Sequence, residues 1–237
     1  MLPTVFVSHG APDLLLRDVP ARHFLERLGA DLPRPRAIIA VTAHWETDRP
    51  SVGGAQQPAT IHDFGNFDDR LFTMSYPAPG VPAIAADAAD LLREAGIASE
   101  LDGTRGLDHG VWVPLMLMYP EATIPVVPVS VQPRCGPAHH LQVGRALAGL
   151  RDGDMLVVAS GSFTHDLSRS RGRAVNASTP EDVDQFADWF DAALTEGRTS
   201  HLLDYRTRAP HAEENHPTDE HLLPLYTAMG AAGAGAR

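Results

Sequence analysis

The chain contains no lysine. All 19 of its basic side chains are arginine, so it can form no lysine Schiff base, and pyridoxal-phosphate and lysine-aldolase chemistry are excluded. The phosphate-gripping lysine of a P-loop is missing for the same reason. No Gly-x-Gly-x-x-Gly follows a strand-like run, which sets a nucleotide-binding reading aside. Cysteine is nearly absent. A single residue, Cys135, excludes a disulfide scaffold, a cysteine-rich zinc module and an iron–sulfur cluster. Positive charge is scarce as well: 19 basic against 30 acidic residues leave a formal net charge of -11, which repels nucleic acid and anionic membrane surfaces. No apolar run approaches the ~18 residues that cross a bilayer. The opening Met1-Leu2-Pro3-Thr4-Val5 has neither the basic start nor the apolar stretch of a secretory signal. A soluble, cytoplasmic protein without nucleic-acid or membrane partners is expected.

What is present fits one α/β domain. The 237 residues suit a single catalytic domain over 1–237, with the small-residue stretch from about 229 to 237 expected as a frayed tail. Short β-branched runs at Thr4–Val7, Ala37–Thr42, Ile124–Val131 and Met155–Ala159 read as strands buried on both faces. The prolines of the third suggest an edge or irregular strand. Helical patterns lie between them at Ala21–Leu32, Val81–Ala95, Pro137–Leu150 and Thr179–Leu194, with a short last helix at His221–Ala228. Thr179 is the expected N-cap of the fourth, with Pro180 in its first turn. The alternation predicts a central, mostly parallel or mixed sheet with helices on both faces. The segment from Pro50 to Pro79, rich in glycine, proline and aspartate, is expected to be mostly loop, with room for a hairpin, and a lid or binding segment.

The distinctive number is 12 histidines. Three fall beside strand ends: His9 in Ser8-His9-Gly10, His44 in Ala43-His44-Trp45 and His165 in Ser160-Gly161-Ser162-Phe163-Thr164-His165. Ligands of open α/β sheets bind at the carboxyl ends of strands, and neighbouring strands lie about 5 Å apart, so these imidazoles can converge on one ion. His23, His139, His140 and His201 sit in helical or polar contexts and read as structural. Two further clusters carry titratable groups: Asp108-His109 between Gly106 and Gly110, and His216-Pro217-Thr218-Asp219-Glu220-His221. Thr218 can cap a helix in whose first turn Glu220 and His221 lie. Consecutive helical residues diverge by about 100°, so one of the two would face a given ion.

Seven blocks occur in order. They are Ser8-His9-Gly10; Thr42-Ala43-His44-Trp45; Ile61-His62-Asp63-Phe64-Gly65; Tyr76-Pro77-Ala78-Pro79-Gly80; Leu107-Asp108-His109-Gly110-Val111-Trp112-Val113-Pro114-Leu115; Ser160-Gly161-Ser162-Phe163-Thr164-His165-Asp166-Leu167; and Pro217-Thr218-Asp219-Glu220-His221-Leu222-Leu223-Pro224-Leu225. Together they resemble the class III extradiol ring-cleavage dioxygenases, in the subgroup of DOPA dioxygenases and their bacterial relatives. The catalytic β subunit of protocatechuate 4,5-dioxygenase is more distantly similar. The resemblance runs from about Pro3 to about Gly230. It implies a mononuclear non-haem Fe(II), a small aromatic diol and O2 as substrates, and ring opening beside the diol.

Carried over by motif, His9 and His44 are metal ligands. The third falls in the last block, with His221 the better match to the DOPA-type subgroup and Glu220 the alternative. An all-histidine set also suits Zn2+, which an isolated sample can carry. The resemblance makes His165 the catalytic acid/base and a candidate fourth ligand, and places His109 beside the substrate hydroxyls. Asp108, Trp45 and Phe163 are candidate substrate contacts, with Phe64 as a further apolar wall, and Trp112 is read as core. Phe72 stands where the subgroup commonly has tyrosine. Arg105 is a candidate partner for a substrate carboxylate. The rival readings are a zinc-dependent hydrolase and a non-catalytic metal- or peptide-binding protein on the same fold. The oligomeric state, monomer or homo-oligomer, stays open.

Overall fold

All four β-branched runs become strands of one sheet. The computed structural model describes residues 1–170, 173–174 and 177–233. Its strands are β1 (Thr4–Ser8), β2 (Ala37–Glu46), β3 (Ser51–Gly53), β4 (Glu100–Asp102), β5 (Val126–Val131) and β6 (Met155–Gly161). Their spatial order is β1-β6-β2-β5-β3-β4. β1, β6, β2 and β5 run parallel, with Val5 opposite Val158 and Ile39 opposite Val157. β3 is antiparallel to β5, and β4 is parallel to β3. The α-helices are α1 (Pro20–Asp31), α2 (Asp69–Phe72), α3 (Pro82–Glu94), α4 (His109–Met118), α5 (Gly136–Leu147), α6 (Leu167–Ser170), α7 (Glu181–Thr195), α8 (Thr199–Leu203), α9 (Tyr205–Arg208), α10 (Ala212–Asn215) and α11 (Leu223–Ala232). None among the described residues is long and apolar enough to cross a membrane.

Alternate residues of a strand face opposite sides, and both sides here are buried. Ile39 and Val41 of β2 pack with Val127, Val157, α3, α5, α7 and α11 in one core. Ile38 and Ala40 pack with Leu156, Val158, α1 and α4 in the other. This is why the strands read as continuous apolar runs. Helices α5 and α11 cross closely because glycine faces glycine: a β-carbon on Gly144 would come within 2.0 Å of the Thr227 carbonyl oxygen.

Several expectations need correction. β5 is an interior strand between β2 and β3, buried along its whole length. Its contact with β3 is the single pair Val52–Val129, so Pro128 interrupts no continuous ladder. The 50–79 segment holds no hairpin, because β3 pairs with β4 instead. Helix α7 starts at Glu181 with Pro180 at the cap position, and no side chain caps it. Glu181, Asp182 and Asp184 supply acidic charge to its first turn instead, favourable at the positive end of the helix dipole. The expected tail from 229 on is helical as far as Ala232, with Met229, Gly230 and Ala231 buried; residues 234–237 lie outside the described set. Helix α4 had no sequence signature. Nine of its ten residues are buried, so it lacks the polar face that creates helical periodicity.

His140 confirms the structural reading and yields a pH prediction. It is fully buried. Its Nδ1–H donates to the Gly136 carbonyl at 2.8 Å and its Nε2 accepts from the Gln132 backbone N–H at 3.0 Å. Both nitrogens are used in the neutral form, and burial lowers the ring pKa from 6.5 to about 4. Between those values the unfolded chain binds the extra proton and the folded chain does not. Stability therefore falls as pH drops from 6.5 towards 4. In thermal or denaturant melts, the wild type should lose about 3 kcal/mol more than His140→Gln across that window.

Candidate metal centre

Adjacent strands β1, β6 and β2 end at one edge of the sheet, and three imidazoles meet there. His9 immediately follows β1, its backbone N–H bonded to the Gly161 carbonyl at 3.0 Å. His44 lies near the end of β2, within the irregular stretch of register between Val41 and Glu46. His221 comes from the turn before α11, close against the end of β6. There Ser162 N–H donates to the His221 carbonyl at 2.9 Å, and a β-carbon on Gly161 would come within 2.0 Å of that oxygen. The Nε2 atoms of His9 and His44 are 3.1 Å apart, and those of His44 and His221 are 3.2 Å apart.

The outer nitrogen of each ring has an oxygen to face. For His9 the partner is Ser160 Oγ at 3.0 Å from Nδ1, and its direction follows from a proline. Pro114 lies inside α4 and has no N–H to give to the carbonyl four residues back, that of Gly110. The Ser160 hydroxyl donates to that carbonyl instead. With its proton so used, Ser160 Oγ accepts from His9 Nδ1–H, and the His9 lone pair is left on Nε2. His221 Nδ1–H donates to Glu220 Oε1 at 2.8 Å. His44 Nδ1 faces Asp63 Oδ2 at 3.4 Å. Burial, reinforced by the neighbouring rings, holds His9 well below the usual imidazole range and lowers His44 to about 3. Neutral imidazoles with Nε2 lone pairs turned inward match the donor set of a bound transition metal. His9, His44 and His221 have ligand atoms within 4.8 Å of one another. The residues present therefore fit one divalent ion.

Two more histidines flank this trio. His165 stacks on His221, ring centroids 3.4 Å apart and 13° from parallel. Its backbone N–H bonds the Asn215 carbonyl at 2.8 Å, and its Nδ1 lies 3.7 Å from Glu220 Oε1. Burial, then the charge of His221, lowers His165 to about 4. His109 opens α4 with its ring 3.8 Å from that of His44. All five rings line one cavity of about 630 Å³, whose lining also includes Asp63, Phe64 and Phe67 and the charged residues Asp166, Arg169, Arg173 and Glu214.

The remaining candidates divide. Phe64 lines the cavity. Trp112 is core, its Nε1–H bonded to the Ile61 carbonyl at 3.0 Å. Asp108, Trp45 and Phe163 are not among the lining residues. Asp108 is fully buried under β2, accepting from Thr42 Oγ1 at 2.7 Å and pairing with Arg105 at 2.6 Å. Trp45 follows His44 in a strand and so faces the other side, where the Arg105 guanidinium sits 4.8 Å from its ring centre. Arg105 is thereby occupied and does not reach the cavity. Phe163 packs against Phe186 and Phe190. Thr218 caps no helix; it hydrogen-bonds Glu220 Oε1 at 3.1 Å in the turn before α11. Glu220 sits outside the trio, on the Nδ1 side of His221.

Asp63 was given no role by its sequence motif. Its Oδ1 accepts the His109 backbone N–H at 2.9 Å and lies 3.0 Å from His109 Nδ1, off the line of a straight hydrogen bond. Burial raises the Asp63 and Glu220 carboxyls, but bonds from His109 to Asp63, and from His221 and Thr218 to Glu220, bring both to about 2. Both are ionised at neutral pH.

Residues 8–236 match the family described as the catalytic LigB subunit of aromatic ring-opening dioxygenase. A 4,5-DOPA dioxygenase extradiol of Beta vulgaris is 43% identical over 99% of this chain and 88% of its own length. The protein of the same name from Escherichia coli K12 is 37% identical over 97% and 85%. A solved structure of an uncharacterized Escherichia coli K12 protein superposes with a TM-score of 0.82 at 35% identity, covering 98% of this chain and 89% of the other.

The Pro114–Ser160–His9 linkage is testable. Ser160→Ala removes the acceptor of His9 Nδ1–H and should weaken zinc binding on the order of tenfold. The measurement is competition with a chromophoric chelator, with circular dichroism showing the fold retained.

Proposed function

The chain belongs to the family of the catalytic LigB subunit of aromatic ring-opening dioxygenases, and on that premise we propose that it opens its substrate ring at one ion held by His9, His44 and His221. It is a class III extradiol dioxygenase, an oxidoreductase acting on an aromatic diol and O2. The observation that carries the ligand set is the convergence of three Nε2 atoms, that of His44 lying 3.1 Å from His9 and 3.2 Å from His221. Iron(II) is the metal we assign to the active enzyme, with zinc able to occupy the same nitrogens in an isolated sample. When bound, the iron supplies Lewis acidity to the diol hydroxyls and electrons to dioxygen.

The chain's own residues handle the protons and the fit. His165, neutral and half-buried with its Nδ1 side towards Glu220, takes a hydroxyl proton at Nε2 and returns it later in the cycle. His109, across the trio from His165, stabilises negative charge developing on substrate oxygen. Phe64 and Phe67 cover the ring and exclude water, so the 61–80 segment serves as the wall the diol slides against. The relatives' names point to DOPA. The lining of this cavity includes Arg169, paired with Asp182, and Arg173, together with Asp166 and Glu214; both signs of charge suit an amino-acid tail. We assign the protein to the cytoplasm.

The test is anaerobic reconstitution with Fe(II), then a panel of DOPA, catechol and substituted catechols. Oxygen uptake matched to a yellow semialdehyde product is expected. No uptake from any diol at full iron loading overturns the assignment, and hydrolysis without oxygen consumption would replace it with zinc-type chemistry. His165→Ala should keep its metal and lower kcat by about 10²- to 10⁴-fold. Loss of metal in that variant would move His165 into the ligand shell.

A further inference from the structure

Two carboxylates flank the trio, one beside His44 and the other beside His221. Asp63 reaches from the segment before α2. One of its oxygens faces Nδ1 of His44 at 3.4 Å and the other lies 3.0 Å from Nδ1 of His109, whose backbone N–H it also binds at 2.9 Å. Glu220 reaches from the turn before α11. Its Oε1 accepts from Nδ1 of His221 at 2.8 Å and lies 3.7 Å from Nδ1 of His165. Each carboxylate thus touches one imidazole of the trio and one imidazole outside it. Asp108, the acid next to His109 in sequence, does neither, because Thr42 and Arg105 hold it under the sheet.

We propose that Asp63 and Glu220 are paired positioning residues, each shared between a metal-ligating imidazole and a proton-handling one. The inference rests on the ligand set and roles given under the proposed function. A carboxylate accepts hydrogen bonds and donates none when ionised. Facing Nδ1, it fixes the Nδ1–H tautomer and leaves the lone pair on Nε2. Asp63 does this for His44 and holds the His109 backbone beside it, and Glu220 does it for His221 and lies next to His165 stacked upon that ring. Two negative charges also lie one shell outside three neutral ligands, matching the charge of a divalent ion that meets no carboxylate directly. Asp63 precedes Phe64 on the cavity wall, so its bond to the His109 backbone also ties the aromatic segment to the ion site.

The experiment reads tautomers and zinc affinity, neither of which needs oxygen or a diol. In long-range proton–nitrogen spectra of the zinc-loaded wild type, the rings of His44 and His221 should show Nδ1 protonated and Nε2 bound. Asp63→Asn and Glu220→Gln keep shape but remove the negative charge; Asn also puts an NH2 where one of two acceptor oxygens is needed, while Gln leaves only a neutral, weaker acceptor. Each should weaken zinc binding by about 10- to 100-fold in chelator competition. Asp63→Asn should also change the ring-nitrogen shifts of His109, and Glu220→Gln those of His165, while circular dichroism stays unchanged. Zinc affinity within twofold of wild type in either variant overturns the proposal, as does an Nε2–H tautomer of His44 or His221 in the wild-type spectrum. The wild-type spectrum keeps the test decisive if a variant folds poorly. Zinc binding and tautomers as expected, without ring cleavage by the iron form, would instead sink the proposed activity and leave the positioning role standing.

Discussion

Three ring nitrogens turned towards one another at 3.1 and 3.2 Å are the constraint on which the rest of the molecule depends. Lone pairs so placed repel, and protons between them would charge buried rings. Burial makes such charging costly, as the lowered titration of His9 and His44 shows. A cation at the centre resolves the conflict. Everything around the trio serves that arrangement. Parallel strands bring the backbones of His9 and His44 to one edge, a glycine at the end of β6 admits the His221 turn, and the outer nitrogens face oxygens that keep protons off the inner ones.

The fold was legible where burial on both faces made strands continuous. The limits of β1, β2 and β6 were recovered within a few residues for that reason, and the helices with a polar side were found from their periodicity. Helix α4 escaped because it has no polar side. β3 and β4 are three residues each, too short to carry a pattern.

The site was legible in its histidines and poorly legible in its walls. His9, His44 and His165 could be placed from strand ends, and the family resemblance added His109 and His221. The structure brings all five to one cavity. Trp45 and Asp108 do not line that cavity, since adjacency to a site residue in a strand or at a helix start turns the side chain elsewhere. Asp63 shows the converse. Its importance arises from contact with a residue 46 positions away, which no local pattern encodes.

Pro114 gives the architecture a bias against ordinary stabilisation. A proline within a helix is a usual target for replacement by alanine, and the exchange is worth about 3 kcal/mol in an exposed helix. Here the replacement would give the Gly110 carbonyl a second donor from its own helix, in competition with the Ser160 hydroxyl. The hydroxyl would then be free to point its proton at His9, and the ring would gain a reason to turn its lone pair outward. A more regular α4 and a His9 lone pair held on Nε2 therefore draw on the same few atoms.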